Sequence, residues 1–262
     1  MTNQFSVLLG VLRYEFRMQL RRRSLWIAMG LVGAMQILIY SRSGHLSDYY
    51  KTLLHTYPLA SVVGDTILNV GFLLPAVFGA LLADRLPRDR RTKVEEIFLA
   101  MPGALSTRIV GKYLGSMLAT LIPMLVFYGL AVGYLFYLSN NVMVVPLALA
   151  MFFTVVLPGI LFISAFSIAC PAIMWVPLYQ FCFIGYWFWG NMLSPRQGIP
   201  TLSHTILTPV GDYMANGFYG SYAGGVQATP LQGVESMLLL IGLAAFVLWV
   251  VWGLLKWQQA RQ

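Results

Sequence analysis

Long apolar runs alternate with short polar segments along this chain, and six of the runs are long enough to cross a membrane. A helix rises 1.5 Å per residue, so about 20 apolar residues cover a hydrocarbon core of about 30 Å. The pattern predicts an all-α membrane protein with six transmembrane helices in a single transmembrane domain, residues 1–262. The predicted spans are residues 24–41, 59–83, 109–138, 142–169, 172–190 and 234–255. The first run has no cleavage-like exit and is interpreted as a retained anchor.

The stretch before the first span, Phe5 to Arg23, predicts an amphipathic elbow helix. One side of that helix is basic, because Arg13, Arg17 and Arg21 recur at every fourth position. Its other side is apolar and consists of Phe5, Leu8, Leu9, Leu12, Phe16 and Leu20. Such a helix lies in the membrane interface, with its apolar side toward lipid and its arginines toward headgroups.

Charge sets the orientation of the chain. Charged residues make up 10% and hydrophobic residues 58% of it, whereas an ordinary soluble domain carries about 25% charged residues. The segments 1–23, 85–112 and 256–262 hold 14 of the 17 Lys and Arg residues. By the positive-inside rule both termini and the segment 85–108 face the cytoplasm, and residues 191–233 are external. The basic charge therefore marks a side of the cell membrane and indicates no nucleic-acid partner.

The basic segment between the second and third spans predicts a short helix of its own. Thr92 and Glu95 match a capping box, and Pro102 follows as a stop signal. One face of this helix is apolar and comprises Val94, Ile97, Phe98 and Met101. A helix of about nine residues is marginal alone in water. It is either a docking helix for a soluble partner or a helix resting on lipid, and Glu95 and Glu96 favour docking because anionic lipid repels them.

The chain contains no recognisable catalytic, metal or nucleotide site. Gly103 to Lys112 is the nearest approach to a phosphate-binding loop, but its spacing is wrong and Tyr113 stands where Ser or Thr is needed. Cys170 and Cys182 lie in apolar surroundings and are interpreted as small core residues, with no metal or disulfide role. We therefore predict a protein that is not an enzyme and that needs no cofactor in this chain.

Four polar residues inside the predicted spans are candidates for a substrate path. They are Gln36, Asp65, Asn69 and Gln180. A charge within a span is costly unless it faces protein or water, which makes Asp65 a functional candidate. Asp65 could instead reach the outer headgroups, and either glutamine could simply bond a neighbouring helix. The pair Gly111 and Gly115 and the pair Gly129 and Gly133 suit close helix packing. The aromatic run Tyr186–Trp189 is interpreted as an interfacial belt.

This order of elements, with one local motif, resembles the membrane subunit of the type-2 ABC exporters. The motif runs through Arg90-Arg91-Thr92, Glu95, Met101-Pro102, Ser106-Thr107-Arg108 and Gly111-Lys112. A second similar stretch is Thr208 to Gly220, before the last span. The uncharged link between the fourth and fifth spans is less typical, and the long stretch 191–232 could dip back into the membrane.

The resemblance implies that two copies, or a copy and a paralogue, pair in the bilayer above two separate ATP-binding cassette ATPases, which hold ATP and Mg²⁺. It implies a path along the dimer axis lined by the first, second and fifth spans. The ATPase-coupling role falls by position on Arg90, Arg91, Lys93, Val94, Glu95, Ile97, Phe98 and Met101. A membrane-embedded enzyme, a regulatory membrane subunit and a secondary transporter are the alternatives. The substrate is left open, because apolar spans suit lipids, peptides and drugs alike.

Overall fold

The computed structural model describes residues 4–41, 46–85, 87, 104–193, 198–221 and 225–259, and every regular element in these ranges is helical. The helices are α1 (Gln4–Leu20), α2 (Arg23–Ser41), α3 (Leu46–Thr56), α4 (Leu59–Val70), α5 (Leu74–Leu82), α6 (Leu105–Ser139), α7 (Val144–Met151), α8 (Leu157–Ala169), α9 (Val176–Asn191), α10 (Asp212–Tyr219) and α11 (Pro230–Gln259).

Three continuous helical stretches are long and apolar enough to cross a membrane: Leu105–Ser139, Val144–Ala172 and Pro230–Trp257. The bent pair α4 and α5 makes a fourth when it is taken as one span. The prediction of an all-helical, multi-pass membrane protein is therefore confirmed. Two of the six predicted spans correspond to the shorter helices α2, of 19 residues, and α9, of 16 residues.

The second predicted span is broken in its middle. Helix α4 ends at Val70, α5 begins at Leu74, and the two axes meet at 43°. Pro75 has no N–H and therefore cannot continue the ladder of hydrogen bonds from α4. It sits in the first turn of α5, where a missing donor costs nothing. The break thus follows directly from the position of this proline.

The polar, Tyr-containing sequence from Arg42 to Tyr57 predicts a loop, and in its described part this prediction is wrong. Residues Leu46–Thr56 form helix α3. The helix is short and amphipathic, and its polar residues obscure the apolar side that packs on α6. On that side Tyr50 meets Tyr134 edge-on, with ring centroids 6.0 Å apart. Tertiary packing therefore stabilises a helix that the sequence hardly suggests.

Helix α1 packs lengthwise against the first half of α6 and runs in the same direction. Val11 lies against Gly111, and a Cβ at Gly115 would be 2.6 Å from the carbonyl oxygen of Leu12. The close packing predicted for this glycine pair is confirmed. The prediction is wrong for Gly129 and Gly133, since added methyl groups there would meet open space.

The apolar side predicted for α1 is divided between protein and surroundings. Leu8 and Leu12 turn toward α6, whereas Phe5 and Leu9 are 62% and 48% exposed. The helix therefore has three stripes along its length. One stripe packs on α6, the next is apolar and exposed, and the third carries Arg13, Arg17 and Arg21.

The fourth span contains a π-helical turn, Phe152–Val156, between α7 and α8. The described part of the segment after α9, residues 198–221, does not stay outside the bundle. It packs against this turn and against α4, α8 and α11. The tip turns at Gly211, whose φ of +96° favours glycine, and α10 leads back toward α4.

Gly159 permits the closest approach of this segment to α8, because a methyl group there would overlap the carbonyl oxygen of Pro209. We predict that Gly159→Ala destabilises the protein by about 1–3 kcal/mol, as expected for an overpacked site. The matched control is Gly129→Ala, where nothing lies within 4 Å. That change should be neutral or stabilise by up to about 1 kcal/mol. Thermal unfolding of the detergent-solubilised variants measures both effects, and equal melting temperatures would contradict the close approach.

Candidate functional site

The predicted coupling residues all lie outside the residues that the structure describes. They are Arg90, Arg91, Lys93, Val94, Glu95, Ile97, Phe98 and Met101. Their predicted helix and role stay predictions. The structure does describe both ends of the segment that carries them, at Asp84 and Arg85 on one side and at Ala104 on the other.

The first end is held by a guanidinium of the α1–α2 connection. Arg22 donates to both carboxylate oxygens of Asp84, at 3.1 and 2.8 Å. The adjacent Arg85 is only 1% exposed, and its Nε lies 3.6 Å from Asp84 Oδ1. A two-point Arg–carboxylate contact fixes orientation as well as distance. The base of the second span is thereby fixed to the junction of α1 and α2.

The second end is held by the start of α1. The side-chain oxygen Oε1 of Gln4 accepts hydrogen bonds from the hydroxyl of Thr107 at 3.1 Å and from the backbone N–H of Ala104 at 3.4 Å. Helix α1 has 17 residues and is therefore about 25 Å long. It thus connects the two ends of the segment 86–103.

A buried polar interface holds α1 on α6 between these two points. Lys112 Nζ lies 3.6 Å from Glu15 Oε1, and Glu15 is 1% exposed. One turn further along α1 and two turns further along α6, the amide of Gln19 donates to the hydroxyl of Thr120 at 3.0 Å. Buried charges require a partner, because removal from water is costly. Glu15 could not be recognised from the sequence, because it stands between Arg13 and Arg17 and therefore suggests an exposed position.

Asp65 is buried on α4 and is 4% exposed. It accepts a hydrogen bond from the hydroxyl of Ser221, at the end of the segment 198–221. One turn earlier, Ser61 donates to the carbonyl of Gly220 at 2.8 Å. Asn216 donates to the carbonyl of Ser221 and accepts from the N–H of Ala228, which fixes the same turn. In this structure Asp65 faces protein, and its contacts fasten the returning segment to α4.

The break in the second span receives side-chain donors from two neighbouring helices. Gln36 of α2 is buried and donates to the backbone carbonyl of Asn69. Trp187 of α9 is fully buried, and its indole N–H donates to the carbonyl of Phe72 at 2.8 Å. Helical continuity is lost at these carbonyls, so a donor from outside the span stabilises them.

The fourth candidate, Gln180, lies on α9, two turns before Trp187. Its amide donates to the carbonyl of Ala80 at 2.9 Å. The structure therefore brings Gln36 and Asn69 together, places Asp65 one turn away, and leaves Gln180 separate. All four polar groups lie on or against α4 and α5.

The burial of individual side chains contradicts two further expectations, one on the aromatic run and one on the cysteines. Trp187 belongs to the protein core, although its neighbours Phe188 and Trp189 are about 40% exposed, as a belt requires. Cys182 is exposed on α9 and is no core residue, whereas Cys170 is half-buried. The run of four aromatic residues concealed the difference, because only the helical phase of α9 decides which ring turns inward.

The cavity beside the break has a volume of about 10 Å³ and is lined mostly by apolar side chains. It holds about one water molecule at most. Among the described residues, no group of three or more His, Cys, Asp or Glu side chains could hold a metal ion. No known protein-family model and no curated protein matches the chain.

The pair Glu15 and Lys112 yields a test of the α1–α6 interface. Glu15→Gln or Lys112→Met alone should destabilise the protein by about 3–5 kcal/mol, because each leaves a buried charge without its main counter-charge. The double variant should lose less than either single variant. Arg22→Gln is the control, since a half-exposed pair contributes about 1 kcal/mol or less. Chemical denaturation in mixed micelles measures the double-mutant cycle, and strictly additive losses would contradict the buried pairing.

Proposed function

We propose that this chain is the transmembrane subunit of an ATP-driven type-2 ABC exporter in the cell membrane. Two copies, or one copy and a paralogue, form the substrate path, and separate ATPase subunits bind ATP and Mg²⁺. The segment 86–103 docks the ATPase through the face of Val94, Ile97, Phe98 and Met101. Arg90, Arg91 and Lys93 supply charge partners, and Glu95 supplies the helix cap.

The observation that carries the proposal is the basic segment between two membrane-crossing helices, with its motif from Arg90 to Lys112. The anchoring of both its ends supports the same function. Asp84 is paired with Arg22, and Ala104 is bonded to Gln4. A partner that moves this segment therefore pulls on α1, α5 and α6 together. A segment held in this way suits the transmission of an ATPase stroke.

The proposed topology has six spans, an interfacial elbow helix α1 and both termini in the cytoplasm. It counts α2 and α9 as full spans, although they are only about 28 and 24 Å long at 1.5 Å per residue. Local thinning of the bilayer accommodates such lengths at modest cost. The distribution of Lys and Arg supports the orientation.

The proposed path lies between subunits. The cavity beside the broken span lies between α4, α5, α6, α8 and the segment 198–221, and it is too small for a substrate. Helices α2 and α9 also expose large apolar side chains, such as Leu31 and Phe181, at 67% and 78%. A second copy can cover part of these faces and leave a path on the dimer axis. Gln36, Asp65, Asn69 and Gln180 would then support the path wall through their contacts with α4 and α5.

The docking face is tested with Phe98→Ala. A buried aromatic anchor is worth about 3–5 kcal/mol, so its loss should detach the ATPase or uncouple hydrolysis from transport. Glu95→Ala should act in the same direction but more weakly, by about 1 kcal/mol for a lost cap. Co-purification of the ATPase and transport in vesicles measure both steps.

The control for this test is Phe181→Ala, on the exposed face of α9, which should leave ATPase binding intact. Normal ATPase co-purification and normal transport with Phe98→Ala would refute docking through this face. Loss of membrane association without loss of ATPase binding would instead indicate a helix that rests on lipid.

The orientation is tested by thiol labelling of single cysteines in a background with Cys170→Ser and Cys182→Ser. Lys51→Cys on α3 and Asn141→Cys before α7 lie at exposed positions on the proposed outer side. Ser106→Cys, exposed at the start of α6, lies on the inner side. An impermeant reagent should label only the first two in intact cells. Labelling of all three before permeabilisation would overturn the topology.

A further inference from the structure

The exposed side of α1 carries concentrated positive charge. Arg13, Arg17 and Arg21 are all exposed and stand one helical turn apart. Together with neighbouring side chains they line an open groove of about 660 Å³, formed by Gly10, Arg13, Tyr14, Arg17, Met18 and Arg21. The groove therefore presents three guanidinium groups along a single line.

The fold keeps the nearby carboxylates away from this groove. Glu15 stands between the arginines in the sequence, but its side chain turns to the opposite side and meets Lys112. Asp84 is occupied by Arg22. In the part of the chain that the structure describes, none of the three arginines forms an ion pair. The exposed side of α1 consequently keeps its full charge of three.

An apolar stripe borders the groove. Phe5 and Leu9 are exposed on the neighbouring side of the same helix, and Tyr14 is 54% exposed within the groove. Apolar side chains beside guanidinium groups match a molecule that joins an acyl chain to an anion. A planar guanidinium also binds phosphate oxygens in pairs, which a lysine cannot do.

We propose that α1 is a binding surface selective for anionic phospholipids, with their phosphates in the arginine groove and their acyl chains against Phe5 and Leu9. This goes beyond residence at the interface, which requires no particular headgroup. It also goes beyond the proposed exporter function and holds with or without an ATPase partner. Helix α1 and its connection to α2 contact both ends of the segment 86–103. A lipid bound to α1 therefore lies close to the points where that segment is attached.

The test uses the full purified chain in an uncharged detergent, with phosphatidylglycerol or phosphatidylcholine added at matched concentrations. Native mass spectrometry counts the lipids retained. Wild type should retain phosphatidylglycerol preferentially. Each basic residue at a membrane surface contributes about fivefold in binding. The triple variant Arg13→Gln/Arg17→Gln/Arg21→Gln should therefore bind phosphatidylglycerol roughly 100-fold more weakly, with retention of phosphatidylcholine unchanged.

Two further variants separate charge at this groove from charge in general. Arg13→Lys/Arg17→Lys/Arg21→Lys should recover most of the binding, because charge is retained and only paired hydrogen bonds are lost. Lys51→Gln/Lys256→Gln removes charge from α3 and α11 and should change nothing. If the glutamine variant does not fold, wild type alone decides, since its preference must fall steeply as salt is raised.

The proposal is overturned if wild type retains both lipids equally, if its preference survives high salt, or if the glutamine variant binds phosphatidylglycerol normally. Displacement of the lipid by inorganic phosphate at equal concentration would show that the groove binds free phosphate and is not a lipid site. Normal lipid binding with loss of a co-purifying protein would assign the arginines to that protein instead.

Discussion

A backbone carbonyl in a bilayer must find its hydrogen-bond donor within the protein, and this requirement organises the bundle around the broken second span. At the break between α4 and α5, the carbonyl of Asn69 accepts a long backbone hydrogen bond of 3.4 Å from the N–H of Phe72, and the carbonyl of Phe72 lies between the two helices. Gln36 of α2 donates a hydrogen bond to the first carbonyl, and Trp187 of α9 donates one to the second. The helices on either side are thereby fixed in rotation and in depth. These hydrogen bonds add to the packing of apolar side chains, which specifies position less sharply because lipid tails are just as apolar.

At the other end of the bundle, contacts between charged side chains fix the helices, as hydrogen bonds to backbone carbonyls do at the break. Glu15 and Lys112 meet in a buried pair between α1 and α6, while Arg22 binds Asp84 beside the buried Arg85. The buried pair of Glu15 and Lys112 adds little net stability, but removing one partner is costly. This pair therefore favours one arrangement of α1 on α6 over others. The amphipathic helix α1 is thus a fixed part of the bundle.

The sequence predicted what depends on composition and period. Long apolar runs identified α6 and α11, whereas the run 59–83 was predicted as one span and is broken in the structure just before Pro75. The predictions that failed concern residues whose partners lie far away in the chain. Tyr50 packs α3 on α6, the inward Trp187 donates to the carbonyl of Phe72, and the buried Glu15 lies opposite Lys112. Asp65 was recognised as unusual, but its partner Ser221 could not be read from a stretch rich in Gly, Pro and Tyr.

The contacts of Ser221 and Trp187 also bear on how the chain is made. Ser221 is 156 residues from Asp65, and Trp187 is 115 residues from Phe72. During synthesis the second span enters the membrane long before either partner exists. Until α9 and the segment 198–221 arrive, the carbonyl of Phe72 and the carboxylate of Asp65 must rely on water, on lipid headgroups or on the insertion machinery. The N-terminal half therefore lacks two of its polar contacts until the last third of the chain has been made and packs against it.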